Sequence, residues 1–241
     1  MTTTGPGAAG RKDEIADRLA TVRDRIAAAC GASGRGPDEV TLIAVTKTYP
    51  VSDIGLLVEL GVHDIGENKD QEAAPKAAEA AALGLPVTWH FVGQLQTNKA
   101  ASVVSYADVV HSVDRLRLVR ALGSRATSAG RTVTCLVQVS LDGDPARGGA
   151  FGPQVMDVAD AIDAEEALSL GGVMAVAPME VPAADSFQML RDVADEVRAA
   201  HPAAVMISAG MSGDLEQAIE AGATHVRVGT ALLGGRRAIV R

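Results

Sequence analysis

The residue best placed to carry out chemistry in this 241-residue chain is a lysine that directly follows an apolar segment. Lys47 ends the sequence LIAVTK, whereas the remaining lysines lie in the N-terminal segment or in stretches with helical spacing: Lys12, Lys69, Lys76 and Lys99. Apolar surroundings disfavour a charged ammonium, and a neutral amine can attack a carbonyl carbon to form a Schiff base. Lys47 is therefore a candidate nucleophile. A lysine that reaches into solvent, or one paired with Glu67, is the alternative interpretation.

Two loops near the C-terminus, both containing glycine and hydroxyl residues, form a candidate phosphate site. The sequence SAGMSGD (208–214) follows a predicted strand, and Ser212 is the candidate N-cap of the next helix. The sequence RVGT (227–230) adds a second glycine and hydroxyl at another strand end. Backbone N–H groups at a helix start bind anions, so the two loops together predict a phosphate cradle. Ordinary helix-capping turns, and an Arg227 side chain that points outwards, are the alternatives.

A nucleophilic lysine and a phosphate cradle in one site match two kinds of ligand. Pyridoxal 5′-phosphate (PLP) can be held by its aldehyde and by its phosphate. A class I aldolase that acts on a sugar phosphate needs the same two groups. The residue types alone leave both chemistries open.

Short β-rich segments alternate with longer helical ones along the chain, and these elements must position the site. Strands are predicted at 41–46, 62–65, 88–92, 108–110, 133–139, 170–176, 204–207 and 225–228. Helices are predicted between them at 52–60, 69–83, 98–106, 114–128, 154–161, 184–200 and 212–221. Parallel pairing follows from connections of this length, so we predict an α/β protein with a single (β/α)8 TIM-type barrel. An open doubly wound sheet is the alternative fold.

The N-terminal region adds an extra helix to this barrel. Residues 12–30 carry an apolar stripe with helical spacing, formed by Ile15, Leu19, Val22 and Ile26. Residues 1–11 are expected to be a disordered leader. No linker-like segment divides the remainder, so residues 12–241 are expected to form one domain.

Composition argues against several classes of function. The net charge of −8, without a Lys/Arg-rich block, disfavours nucleic-acid and anionic-membrane partners. No apolar stretch has the length of a membrane span. Cys30 and Cys135 form no metal-type pair and the N-terminus lacks a secretory signal, so we expect no metal site and a cytoplasmic location. We expect His63, His201 and His225 to be helix-end or turn residues without a functional role.

Seven segments, taken together, resemble the pyridoxal-phosphate homeostasis protein family. They are LIAVTKTYP, GENKDQE, WHFVGQLQTNK, HSVD, GVMAVAPM, SAGMSGDLEQAI and VRVGTALLG, in this order between residues 12 and 235. The resemblance implies a barrel similar to the N-terminal domain of alanine racemase, with PLP bound covalently through Lys47.

The resemblance also assigns the residues that bind the cofactor. These are Lys47, Asn68, His90, Ser208, Gly210, Met211, Ser212, Arg227, Gly229 and Thr230. The family's phosphate-binding elements fall on the two C-terminal loops, and Asn68 and His90 are implied to line the same face. This sequence departs from the family pattern at Ala209 and Tyr49, where methionine and lysine are usual. The Gly-rich segment 142–152 is longer than in many family members and is expected to be a mobile loop.

The resemblance implies a role in PLP and amino-acid homeostasis without a strong catalytic activity. Alanine racemase uses a tyrosine from a C-terminal domain of the partner subunit as its second base, and we expect this chain to lack such a domain. The expected protein is a monomeric PLP carrier whose partners include apo PLP-dependent enzymes. A weak amino-acid racemase or transaminase is the alternative.

Overall fold

A computed structural model describes residues 8–235 and confirms the predicted (β/α)8 barrel. In this range the parallel strands close in the order β1 to β8. The strands are β1 Thr41–Val45, β2 Asp64–Glu67, β3 Thr88–Phe91, β4 Val109–Val113, β5 Val133–Gln138, β6 Leu168–Met174, β7 Met206–Ser208 and β8 His225–Val228. The α-helices are α1 Ala8–Ala32, α2 Val51–Glu59, α3 Asp70–Ala82, α4 Ala100–Tyr106, α5 Leu116–Ala129, α6 Gln154–Asp163, α7 Ala183–Ala200, α8 Leu215–Glu220 and α9 Thr230–Leu233.

Several strand ends differ from the prediction because pairing with neighbouring strands, rather than local composition, fixes them. β4 runs to Val113, so His111 lies within the strand instead of in the loop after it. Its pairing with β5 shifts register between Val110 and Val113. β2 extends to Glu67, which pairs with Phe91 of β3. Polar residues that the sequence placed in loops therefore belong to the barrel wall.

Successive residues of each strand point alternately into the barrel and outwards to the helices. In β8, Val226 and Val228 pack outwards in a core cluster with residues of α1. His225 and Arg227 point inwards, where the His225 ring lies 6.5 Å from that of His90. His225 begins β8, as the predicted strand at 225–228 indicated, so the interpretation of His225 as a helix-end or turn residue is wrong. His201 is the C-cap residue of α7, as a helix-end position requires.

Helix α1 begins earlier than predicted and closes one side of the barrel. Arg11 was assigned to a disordered leader, but its guanidinium lies 2.6 Å from the Asp53 carboxylate of α2, and both side chains are buried. It also donates to the Leu233 carbonyl oxygen at 3.1 Å. The leader prediction is therefore wrong for residues 8–11, because this ion pair anchors the first turns of α1. Residues 1–7 and 236–241 lie outside the described range.

The predicted apolar stripe of α1 is buried, as its spacing indicated. Ile15, Leu19, Val22 and Ile26 are each at most 5% exposed. The helix packs against α8 and α9, the elements that follow β7 and β8. Within residues 8–235, no helix has both the length and the apolar character needed to cross a membrane.

Replacing Leu19 with alanine tests the contribution of this stripe to stability. The side chain is 2% exposed, so we expect the substitution to lower the free energy of unfolding by about 2–5 kcal/mol. Leu83→Ala is the matched control, since Leu83 is 63% exposed and its truncation leaves no cavity. Urea unfolding followed by circular dichroism measures both variants. Equal losses in the two would contradict the packing role of α1.

Candidate functional site

A cavity of about 370 Å³ opens at the carboxyl ends of the strands, where barrel enzymes place their functional residues. Most of the predicted site residues line it: Lys47, Asn68, Met211, Ser212, Arg227, Gly229 and Thr230. Its other lining residues were not among the predicted site residues: Val45, Thr48, Tyr49, Val92, Val176, Gly213 and Gly234. Residues two apart along a strand face the same side, so the pattern could have predicted Val45, two residues before Lys47, and Val92, two residues after His90.

Lys47 stands at the end of β1 and its side chain is exposed at the cavity. This corrects the expectation of apolar surroundings, because the amine is open to solvent rather than enclosed. The alternative of an ion pair with Glu67 is also wrong. Thr46 and Glu67 point outwards from the barrel, and the Thr46 hydroxyl donates to Glu67 Oε1 at 2.7 Å.

A buried ionic cluster lies behind the backbone that carries Lys47. Lys76 Nζ from α3 donates to Glu67 Oε1 at 2.7 Å and to the Thr46 carbonyl oxygen at 2.8 Å. It also donates to Glu72 Oε1 at 2.7 Å. Burial raises the pKa of the Glu67 carboxyl, and the neighbouring Lys76 ammonium opposes that shift. The cluster therefore ties the strand end before Lys47 to helix α3.

The residue after Lys47 is held in an unusual backbone conformation by the same helix. Thr48 has φ +71°, and among non-glycine residues in the described range it alone has a positive φ. Its backbone N–H donates to the Glu72 carboxylate. A β-branched residue in the left-handed region costs energy and persists only where surrounding contacts hold it. Both neighbours of Lys47 are thus fixed through α3.

The loops after β7 and β8 meet at the cavity wall. Ser212 was predicted to cap the following helix, but α8 begins at Leu215 and Asp214 occupies the cap position. Ser212 Oγ instead accepts the backbone N–H of Ala231 at 3.2 Å, which joins the two loops. Gly210 does not line the cavity. A Cβ there would lie 2.6 Å from the Ala218 Cβ, and its φ is +85°.

Asn68 reaches the cavity because a neighbouring strand end comes unusually close to it. A Cβ at Gly93 would lie 2.0 Å from the Asn68 carbonyl oxygen, so the two loops can touch only where a glycine stands. The loop after β2 therefore packs directly against the loop after β3. This contact places the Asn68 amide on the cavity wall.

Arg227 points into the barrel and forms the cationic part of the cavity lining. Its Nη1 donates to Ser208 Oγ at 2.6 Å and its Nη2 donates to the Ala175 carbonyl oxygen at 2.9 Å. Burial lowers the pKa of the guanidinium to about 10, which leaves it charged at neutral pH, and Asp214 opposes the shift. A buried cation beside two polar loops favours an anionic or hydrogen-bond-accepting ligand.

Two predicted site residues lie deeper than expected. Ser208 is fully buried beneath Arg227, and His90 is 2% exposed inside the barrel. His90 Nδ1 lies 2.9 Å from His111 Nε2, and His90 Nε2 lies 3.0 Å from Asp64 Oδ1. The expectation that His90 lines the cavity face is therefore corrected. Val92, which lies two residues beyond His90 and on the same side of the chain, lines the cavity instead.

The segment 142–152, expected to be a mobile loop, makes defined contacts with the barrel rim. It contains a short 3-10 helix at Pro145–Arg147. The Arg147 guanidinium donates to the Val176 and Ala177 carbonyl oxygens at 3.0 and 3.1 Å. In the part of the chain that the structure describes, no group of three or more His, Cys, Asp or Glu side chains is placed to hold a metal ion.

Replacing Lys76 with methionine tests the buried ionic cluster. The change leaves the fully buried Glu67 carboxylate without its cation, so we expect a loss of about 3–5 kcal/mol in unfolding free energy. Adding Glu67→Gln should recover part of that loss because the amide carries no charge. Lys12→Met is the matched control, since its solvent-exposed pair with Glu59 at 2.7 Å should contribute under about 1 kcal/mol. Chemical denaturation measures all variants, and no recovery in the double variant would argue against the charge explanation.

Acid destabilisation tests the inward-facing histidines. Burial lowers the pKa of His225 from 6.5 to about 4, with smaller contributions from His90 and Arg227 in the same direction. Burial also lowers the pKa of His111. The unfolded chain therefore binds more protons between about pH 6.5 and 4, and stability should fall as the pH drops through that window. Urea unfolding at each pH measures the slope, and His225→Asn should make it shallower. An unchanged slope in His225→Asn would refute the role of His225 in acid destabilisation.

Comparison with known proteins places this barrel in a family. Residues 18–237 match the family model described as alanine racemase, N-terminal domain. A relative from Mycobacterium tuberculosis (strain ATCC 25618 / H37Rv), named pyridoxal phosphate homeostasis protein, is 42% identical over 94% of this chain and 95% of its own. A relative of the same name from Escherichia coli (strain K12) is 36% identical over 93% and 97% of the two chains.

A solved structure of a similar protein supports the same family assignment. PipY of Synechococcus elongatus PCC7942, determined with PLP bound, superposes with a TM-score of 0.79 at 34% identity. The match covers 91% of this chain and all of PipY. The chain therefore belongs to the pyridoxal phosphate homeostasis protein family, whose barrel is that of the alanine racemase N-terminal domain.

Proposed function

We propose that this protein binds PLP in the cavity at the carboxyl end of the barrel and takes part in PLP homeostasis. The observation that carries the proposal is the meeting of an amine, a buried guanidinium and two polar loops around one cavity. The names of the relatives and the PLP in PipY support it. We further propose that Lys47 Nζ is the covalent attachment point.

The residues around the cavity fit this ligand. Its volume of about 370 Å³ is in the range of small-molecule sites. The Ser212 and Thr230 hydroxyls and the backbone of Gly213 and Gly229 offer polar groups for a phosphate. Arg227 adds a positive charge at the same wall. A small anionic aldehyde would find both a nucleophile and a counter-charge here.

Several lining residues have separate tasks in the proposed site. When bound, PLP supplies an aldehyde for attachment and an electron-withdrawing ring. The loops of residues 211–213 and 229–230 orient the phosphate end, and Arg227 donates hydrogen bonds from beneath. The ionic cluster around Lys76 fixes the backbone on both sides of Lys47, which limits where the amine can reach.

The arrangement favours a carrier over a racemase. Racemisation needs a second acid–base group on the opposite face of the substrate. Besides Lys47 and Arg227, the described cavity lining offers one titratable side chain, Tyr49. Its hydroxyl donates to the Gly234 carbonyl oxygen at 2.7 Å and is therefore committed to structure. The exposure of Lys47, Met211 and Thr230 leaves the site open to water, which suits loading and release.

The proposal extends to the protein's setting. We propose a cytoplasmic monomer that exchanges PLP with apo PLP-dependent enzymes. An open site with an exposed attachment residue supports such exchange.

The absorption spectrum with added PLP, before and after borohydride reduction, tests the proposal. We expect a visible band in the wild-type protein and a reduced adduct that peptide mapping locates at Lys47. Lys47→Ala should abolish the band, while Lys99→Ala, a matched control at a half-exposed lysine, should retain it. A wild-type protein that takes up no PLP would refute the binding proposal and favour an aldolase that acts on a sugar phosphate.

The same preparation separates a carrier from an enzyme. Incubation of the PLP-loaded protein with L-alanine or L-serine should yield neither the D-isomer nor a keto acid, as measured by chiral chromatography. Formation of either product at about one turnover per second, within the range of ordinary enzymes, would contradict the carrier role. An adduct on another lysine would contradict the assignment of Lys47 alone.

A further inference from the structure

A continuous line of hydrogen-bonded side chains runs through the barrel interior to the candidate site. Asp64 Oδ1 lies 3.0 Å from His90 Nε2, and His90 Nδ1 lies 2.9 Å from His111 Nε2. His111 Nδ1 lies 2.9 Å from Ser208 Oγ, which accepts from Arg227 Nη1 at 2.6 Å. We call these five residues the interior chain. It connects β2, β3 and β4 with β7 and β8.

The two ends of the interior chain lie at opposite ends of the barrel. Asp64 begins β2 and lines a second cavity with Thr41 and His63, at the amino ends of the strands. Arg227 lines the candidate site at the carboxyl ends. Between them, His90, His111 and Ser208 are at most 2% exposed. Polar groups buried to this degree are costly unless every member has its partner.

When both imidazoles are neutral, the ends also fix the direction of every hydrogen bond. A guanidinium can only donate and an ionised carboxylate can only accept. Ser208 Oγ therefore accepts from Arg227 and gives its own proton to His111 Nδ1. His111 then donates from Nε2 to His90 Nδ1, and His90 donates from Nε2 to Asp64. Each neutral imidazole then carries its proton on Nε2. The lowered pKa of His111, caused first by burial, agrees with a neutral ring.

This direction has a consequence for the candidate site. The Ser208 proton is committed to His111, so Ser208 cannot donate to a ligand. Arg227 is held from below by Ser208 and the Ala175 carbonyl oxygen, which together use two of its N–H groups. Its remaining N–H groups are the donors left for the cavity. The ligand atom above them must be a hydrogen-bond acceptor.

We propose that His111 and Ser208 are positioning residues that hold the Arg227 guanidinium in place as a donor to the bound ligand. This inference rests on the proposed function, because it assumes that the bound ligand is PLP. It moves Ser208 from the ligand contacts to the support of Arg227. It also gives a task to His111, a fully buried residue that touches no part of the cavity.

Nuclear magnetic resonance of the protein without PLP tests the interior chain independently of any ligand. Two-bond proton–nitrogen correlations of the histidine rings should show His90 and His111 protonated on Nε2 and unprotonated on Nδ1 at neutral pH. The side-chain N–H signals of Arg227 should exchange slowly with water and should broaden in Ser208→Ala. The opposite tautomer at either ring would overturn the proposed direction, whether or not PLP binds.

Substitutions at His111 test the effect on the site. His111→Leu keeps the volume and removes both hydrogen bonds, whereas His111→Gln offers one acceptor and one donor in similar places. We expect about tenfold to hundredfold weaker PLP binding and a shifted absorption maximum in the leucine variant, with recovery to near wild type in the glutamine variant. His225→Asn is the matched control, because His225 lies beside the interior chain without a bond to it.

The outcomes separate this inference from the proposed function. Thermal unfolding first identifies variants that remain folded. If His111→Leu does not fold, Ser208→Ala gives the same test with a smaller change. A folded leucine or alanine variant with wild-type affinity and spectrum would refute the positioning role. A wild-type protein without PLP affinity would refute the proposed function and PLP as the ligand of Arg227. The resonance test would still decide the direction of the hydrogen bonds in the interior chain.

Discussion

The alternation of side chains along parallel strands decides what this barrel can do. Each strand sends one residue inwards and the next towards the helices, so a single step along the chain separates ligand chemistry from support. Lys47 lines the cavity, while Thr46 and Glu67 face α3 and form a buried ionic cluster with Lys76. The reactive amine and the charges that fix its backbone therefore occupy opposite sides of one wall. Neither interferes with the other.

The same alternation gives the barrel interior two unlike halves. One part is apolar and contains Val109, Leu136 and Met174. The other contains the interior chain, whose buried polar atoms satisfy one another from Asp64 to Arg227. A buried cation without partners would be very costly, and this chain of donors and acceptors supplies Arg227 with a defined place. Stability and ligand recognition thus depend on the same hydrogen bonds.

Outside the barrel wall, contacts between α1, the segment after Lys47 and the end of α9 hold the edge of the cavity in place. Arg11 of α1 binds both Asp53 and the Leu233 carbonyl oxygen, and its guanidinium lies 5.7 Å from the Tyr49 ring centroid. Tyr49 in turn donates to the Gly234 carbonyl oxygen. This departure from the family's usual lysine therefore fastens the segment after Lys47 to the end of the barrel. The cavity keeps a fixed rim on this side even though Lys47 itself is exposed.

The sequence by itself determined the barrel, the N-terminal stripe and half of the cavity lining. Period-two and period-3.6 patterns are local, and residues at the carboxyl ends of parallel strands must converge, so Lys47 and the two C-terminal loops could be placed together. Only the tertiary structure decided the ends of β2 and β4, because pairing with neighbouring strands sets them. It also decided that Glu67 pairs with Lys76, that His90 lies below the cavity, and that Ser208 supports Arg227. Those contacts join residues distant in sequence, and no local pattern encodes which of several possible partners a buried polar group meets.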